Sequence, residues 1–300
     1  MISRRALLVA VPVVGIGAAV GYSLQNDDPI TVRLASGENG GGYATFASAL
    51  ESVTTDSLRV VPVDSAGSQE NLRLLATGDV EVALAQGDTV RAWVESTGAD
   101  VVALGRVYDN YVQVAVRADS DIRSIDRLRG RAISLGPPGS GGAVALADIL
   151  TAVGLGPGSY VDRALRLSDG AIALADSTVD AVCWCGALPT TIVADALPVR
   201  LLDVPAAATA VPEYRARSIR SGTYRGANGV SSLAVRNLLV ARTDLPDVAV
   251  ERLLAAVAGN AGALVPVDAT GLQNYEPRSM IDTSGLALHR AALQWYRANG

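Results

Sequence analysis

From Ile30 onward, short apolar runs alternate with helix-length segments, and this alternation constrains the fold more than any other feature. ITVRLA (Ile30–Ala35) alternates apolar and polar residues like a half-buried strand, and residues 43–53 read as a helix. Leu58–Val63 is a second strand. Residues 68–76 are amphipathic, with Leu72, Leu75 and Ala76 on one face and Gly78 as the stop. A buried strand at 80–85, a helix at 89–95 and strands at 101–107 and 111–117 follow. The order β-α-β-α-β-α-β predicts a parallel sheet covered by helices.

A second unit repeats the theme. Ile125–Leu128 reads as a short helix, 131–135 as a strand, and 142–153 as a helix closed by Gly154. Residues 169–176 are helical, 180–185 a strand, 189–196 the start of a helix and 199–202 a strand. An apolar strand at 232–240 follows, then an amphipathic helix at 245–257 with Asp244 as its expected N-cap and Pro246 just inside, and a terminal helix at 286–298. These late elements can return to complete the first unit. The expected architecture is an α/β fold of two lobes around a central ligand cleft, with 30–115 and about 232–300 in lobe 1 and about 116–231 in lobe 2.

Composition removes several chemistries. Hydrophobic residues make up 49 % of the 300, enough for a full core, and aromatics only 4 %, so small and branched aliphatics must fill it. The formal charge is −5 with no block of one sign, which argues against nucleic acid. All 25 basic residues are Arg, so there is no Schiff-base, pyridoxal or P-loop lysine. The one histidine, His289, excludes a His-rich metal site. Cys183-Trp184-Cys185 is too tightly spaced for a C-x-x-C motif. On a strand the two thiols share a face, either as small buried hydrophobes, as a strained local disulfide or as a ligand-lining pair. Neither a metal nor a cofactor is expected.

Residues 1–25 carry a short basic start and an apolar run from Ala6 to about Val20, the layout of an export signal, or of an N-terminal anchor if it is retained. Ser3-Arg4-Arg5 is compatible with a twin-Arg signal as well as an ordinary one, and Ala18-Ala19 could serve a signal peptidase. The body is therefore expected outside the cytoplasmic membrane.

Two Gly-rich loops fall after the first strand of each unit: SGENGGGYA, with Ser36, Gly37, Asn39, Gly40, Gly41 and Tyr43, and GPPGSGG, with Gly136, Pro137, Gly139 and Ser140. Ligands of α/β sheets sit at the carboxyl ends of strands. Each loop opens a helix, whose N–H groups and dipole favour an anion. Ser65, Ser68, Gln86 and Asp88 follow the second and third strands and reach the same edge. Ser68 serves either a ligand or the helix cap. Tyr43 and Trp184 are placed either to pack a solute's aliphatic part or to shut the cleft. Glu38 either faces solvent or faces the cleft, where it would repel a second carboxylate and pair an ammonium.

These residues together resemble the TAXI family of solute-binding proteins of TRAP-type transporters, over about 30–300. Ala35-Ser36-Gly37 with Gly40-Gly41 and Tyr43 is similar to its opening pattern, and SAGSQEN (residues 65–71) to its serine-glycine-serine-asparagine segment. Gln86 and Asp88 match its Gln-x-Asp, and GPPGSG (136–141) is its most specific motif. Asp180-Ala181 with Gly186 and Pro189, Ser221 to Tyr224, and Leu286 to His289 continue the register. The resemblance implies a periplasmic-binding-protein-like (type II) fold, a glutamate- or glutamine-like amino acid or small carboxylate as solute, and membrane subunits of a TRAP transporter as partner. It also implies ligand contacts from the loop at 36–43, Ser65, Ser68, Gln86, Asp88 and the loop at 136–140. The chain departs from the family at Glu38, usually a small residue, at Ala44, often aromatic, and at Arg290-Ala291 after the histidine, usually Pro-Gly. A ligand sensor for a membrane signalling protein would use the same fold. A hydrolase built on Ser140 or Ser68 would need His289 or a carboxylate as base.

Overall fold

The structure is a computed structural model describing residues 29–54, 56–205, 213–225, 227–265, 275–283 and 285–300. The expected export signal or anchor at 1–25 lies outside the described residues. Among the described residues no helix is long and apolar enough to cross a membrane.

The strands are β1 (Ile30–Ala35), β2 (Leu58–Val63), β3 (Val82–Gln86), β4 (Val102–Arg117), β5 (Ala132–Ser134), β6 (Val161–Asp162), β7 (Ala181–Gly186), β8 (Val199–Leu201), β9 (Arg215–Ile219) and β10 (Val230–Ala241). The helices are α1 (Gly42–Ser52), α2 (Ser68–Thr77), α3 (Gly87–Thr97), α4 (Gly141–Ala152), α5 (Leu167–Ala175), α6 (Thr191–Ala194), α7 (Asp247–Gly259), α8 (Ala261–Leu264), α9 (Pro277–Met280) and α10 (Arg290–Asn299), with a 3-10 turn at Ile125–Leu128.

The main path of the sheet is β2-β1-β3-β10-β4-β7-β5-β6, with β8 on β4 and β9 on β10. The sheet is not the purely parallel one expected. β1, β2 and β3 are parallel, but β10 returns antiparallel between β3 and β4, and β7 is antiparallel to β4. The two strands expected at 101–107 and 111–117 are one strand of 16 residues. Tyr108-Asp109-Asn110 interrupts the apolar pattern yet is buried, because β4 and β10 cross there from one lobe into the other. Among the named strands the first part of β4 pairs with β10 alone, with a further bridge from Ala103 to Leu288. From Tyr111 onward it also takes β7, then β8.

Each lobe is a sheet between two helical layers. In lobe 1, Tyr43, Phe46 and Leu50 of α1 and Val250, Leu253 and Leu254 of α7 pack one face. Leu72 and Leu75 of α2 and Val90 of α3 pack the other. In lobe 2, α4 packs on Cys183 while α5 and α6 pack on Val182 and Trp184, the alternation a strand imposes. The fold is thus the two-lobe, periplasmic-binding-protein-like α/β class. Two helix starts differ from expectation. α7 begins at Asp247 behind Pro246, because Asp244 is held by Arg242 at 3.0 Å instead of capping. α10 begins at Arg290, later than expected, because His289 occupies its N-cap.

Candidate functional site

The loops after β1 and β5 face each other across a cleft between the lobes, with about 850 Å³ of open space, its mouth included. Helices α1, α2 and α4 start at its wall, and so does α5, whose first residues Leu167 and Ser168 are taken up by Glu38. The first N–H groups of a helix have no intrahelical acceptor and carry the positive end of its dipole. No side chain caps α1 or α2, so their first amides are left to whatever occupies the cleft. α4 is capped by Ser140, whose Oγ accepts from Ala143 N at 3.1 Å. α4 can approach α2 only because residue 141 is glycine. A Cβ there would lie 2.7 Å from Thr89 Oγ1 and 2.9 Å from Ser68 Cβ, closer than atoms tolerate.

The cleft is lined by Gly37, Asn39, Gly40, Gly41, Tyr43, Ser68, Gln86, Gly136, Pro137, Ser140 and Trp184 of the expected set. Four expected residues lie off it. Ser36 is fully buried beneath the loop; its Oγ donates to Val63 O and its carbonyl accepts from Asn71. Ser65 donates to Asn71 Oδ1. Together they fasten the ends of β1 and β2 to α2. Asp88 accepts from Tyr214 Oη at 2.9 Å and from Thr89 N at 2.6 Å, on the far side of α3. Burial pushes its carboxyl above the usual range, against the pull of those donors. Gly139 turns the loop at φ +81° beside Gln69, away from the cavity.

Ser68 lies at the centre of a buried network. Its Oγ accepts from Gln86 N at 3.1 Å and lies 3.1 Å from Tyr43 Oη. Tyr43 Oη donates to Asn237 Oδ1 at 2.7 Å, which also accepts from Asn110 Nδ2 at 3.2 Å. Gln86, Asn237 and Tyr108 stand in register across β3, β10 and β4. A polar row therefore crosses the sheet where the strands pass between lobes. Asn110, which lines the cleft, was absent from the sequence expectations. Its signal was a polar residue inside an apolar strand run, taken as a break between two strands.

Trp184 reaches the cleft edge with its Nε1 donating to Thr190 Oγ1 at 3.0 Å and its ring edge-on to Tyr224 at 6.2 Å. Cys183 and Cys185 also line the cleft and are free thiols. Burial raises both, so they stand as neutral S–H groups.

Glu38 lines the cleft, one of its two expected positions, but its carboxylate is turned to the start of α5. Its Oε2 accepts from Leu167 N at 3.4 Å and its Oε1 from Ser168 Oγ at 3.2 Å, with Arg166 at 4.0 Å. It crosses the mouth of the cleft and sits at the N-terminus of α5, where a carboxylate is favoured. On the α3 side of the molecule, Arg91 pairs with Glu213 and Asp88 with Tyr214, a second bridge between lobes. His289 lies outside the cleft lining. Its Nδ1 accepts from Ala291 N at 3.2 Å and its Nε2 meets Thr243 O at 3.1 Å, so Nε2 carries the proton and both nitrogens serve backbone. Ser68 and Ser140 are therefore not paired with it.

A sequence model described as the NMT1-like family matches residues 34–300. Among solved structures, a protein of Bordetella bronchiseptica RB50 superposes with TM-score 0.54 at 14 % identity, covering 91 % of this chain and 83 % of that one. The alkanesulfonate-binding protein SsuA of Xanthomonas axonopodis pv. citri bound to MOPS gives 0.49 at 15 %, covering 91 % and 85 %. The methionine-binding protein MetQ gives 0.48 at 16 %, covering 81 % and 98 %. At these identities the first of the three speaks for the fold alone.

Proposed function

The chain belongs to the NMT1-like family, and we propose that it is an extracytoplasmic solute-binding protein. It captures a small carboxylate or amino acid, glutamate- or glutamine-like, between its lobes and delivers it to the membrane subunits of a TRAP-type transporter. The observation that carries this reading is the convergence of three helix N-termini, two of them without a side-chain cap, on one interlobe cleft built from both Gly-rich loops. Such a wall binds an anion without any cationic side chain. The lobes are taken as 30–115 with about 232–300, and about 116–231. The ligand is assigned to the expected residues that line the cleft, with Gln86 and Ser68 at its floor and Trp184 at its edge. The GPPGSG motif supports the TRAP-type assignment, and the layout of residues 1–25 supports export.

Calorimetric titration of the purified protein with glutamate, glutamine and small dicarboxylates tests the reading. Saturable binding is expected, and Ile192→Trp, which fills the cleft from one wall, should abolish it. No saturable binding of any small carboxylate or amino acid would sink it. Loss of solute uptake on deleting this chain, rather than loss of a transcriptional response alone, identifies transport over sensing.

A further inference from the structure

The cleft has two chemically different ends. One is the set of helix N-termini, which offers N–H donors. The other is the polar row across the sheet, which offers acceptors. Gln86 and Asn110 are 3 % and 4 % exposed and both line the cavity. Oε1 of Gln86 and Oδ1 of Asn110 have no hydrogen-bond partner in the protein and almost no exposed surface, so a ligand's donor reaches them when the amides turn toward the cavity. Of the donors around them, the Cys185 thiol stands beside the Gln86 amide, while Asn237 Nδ2 and Tyr108 Oη in the same row are themselves unpartnered and lie off the cavity. Asn110 Nδ2 is spent on Asn237 Oδ1, Tyr43 Oη on the same oxygen, and the Gln86 backbone N–H on Ser68 Oγ. Among the described residues no cationic side chain lines the cavity. A buried acceptor without a donor costs more than a satisfied one contributes.

On the solute-binding reading above, we propose that the cleft selects an anion that also carries an N–H or O–H donor. The anion sits at the N-termini of α1, α2 and α4, and the donor is delivered to Oε1 of Gln86 and Oδ1 of Asn110. Gln86 and Asn110 are then specificity-determining residues. Selection runs through amide dipoles and not through an ion pair. The two nearby carboxylates are already engaged, Glu38 by the start of α5 and Asp88 by Tyr214 and Thr89. A hydroxyl, an amide or an ammonium supplies the same donor chemistry.

Four matched five-carbon probes separate these sources: glutarate, with no donor beside its carboxylates, 2-hydroxyglutarate, glutaramate and glutamate. Calorimetry on the purified protein should show glutarate binding about tenfold or more weakly than the best of the other three, the scale of one buried hydrogen bond. The identity of the best probe names the donor. In Gln86→Leu and Asn110→Leu the gap should close, chiefly by loss of the donor-bearing probe, with melting curves verifying that each variant folds. Equal binding of all four to the unmodified protein overturns the inference while leaving the solute-binding reading in place. So does a gap that persists in both folded variants. If a variant does not fold, the unmodified series still decides. Binding of none of the four, nor of any other small anion, removes the solute-binding reading and this inference with it.

Discussion

Replacing Glu38 by Gln isolates the bridge at the mouth of the cleft. The side chain is 19 % exposed and makes two hydrogen bonds to the start of α5, at 3.4 and 3.2 Å. A bond to a charged group is worth about 1.5–3 kcal/mol at good geometry, but these are long and sit at or below the low end. A carboxylate at a helix N-terminus adds about 0.3–1 kcal/mol. The Arg166 contact at 4.0 Å, with the arginine 55 % exposed, adds close to nothing. Gln keeps the shape and one acceptor but removes the charge. The bridged arrangement should therefore lose about 1.4 kcal/mol, a factor of about ten in its equilibrium with an opened cleft. Cys183 reports on that equilibrium without any ligand, because its thiol lines the cleft and is buried. Maleimide modification at mildly alkaline pH, followed by mass spectrometry, should run about tenfold faster in Glu38→Gln than in the unmodified protein, with an unchanged melting profile. An unchanged rate would refute the reasoning: the bridge would then not be holding the lobes together.

Other outcomes follow from the same geometry. Gly141→Val places side-chain atoms where Thr89 and Ser68 already stand, so the lobes cannot meet at α4, and solute affinity should fall by at least about a hundredfold while each lobe still melts cooperatively. Retained affinity in titrations would show that α4 does not approach α2 in the bound protein. Asp88 binds its proton more tightly folded than unfolded, chiefly through burial, so its charged form costs stability as pH rises from about 4 through the raised folded value. Asp88→Asn should gain melting temperature relative to the unmodified protein over that window. The opposite trend would mean that the donors from Tyr214 and Thr89 outweigh burial. His289→Ala should lower stability by about 1 kcal/mol through loss of the α10 cap, with solute affinity unchanged; chemical denaturation measures the first and titration the second.

The local elements of this chain were legible because their signals are local. ITVRLA alternates, Gly78 stops α2 with a left-handed backbone, and both Gly-rich loops open helices. What escaped was set by distant partners. β10 reads as an ordinary apolar strand, and nothing in it states that it inserts antiparallel between β3 and β4. Tyr108-Asp109-Asn110 read as a break between two strands because polar residues rarely occupy a buried strand, yet here they mark the crossing. β6 and β9 were missed, being two residues in one case and largely exposed in the other. In the candidate site, the Gly loops, Ser68, Gln86 and Trp184 were readable from position relative to strand ends. Ser36 and Ser65 share that position, but their hydroxyls face the underlying backbone, which depends on side-chain direction and not on spacing. Glu38 was weighed only against solvent and cleft. Its actual partner, the start of α5, lies about 130 residues away in sequence.

The crossing of β4 and β10 also divides labour. The strands carry Asn237 and Asn110 at the crossing between the lobes, whereas Glu38 and Arg91 bridge the lobes out at the rims. If the lobes rotate about that crossing, a group on the axis has almost no lever arm and a group at the rim has a long one. On the solute-binding reading proposed above, changes at the rim should rescale affinity for every solute alike, and changes at the crossing should exchange one solute for another. A chain built this way can be retuned in strength and in selectivity by separate mutations, neither needing compensation from the other.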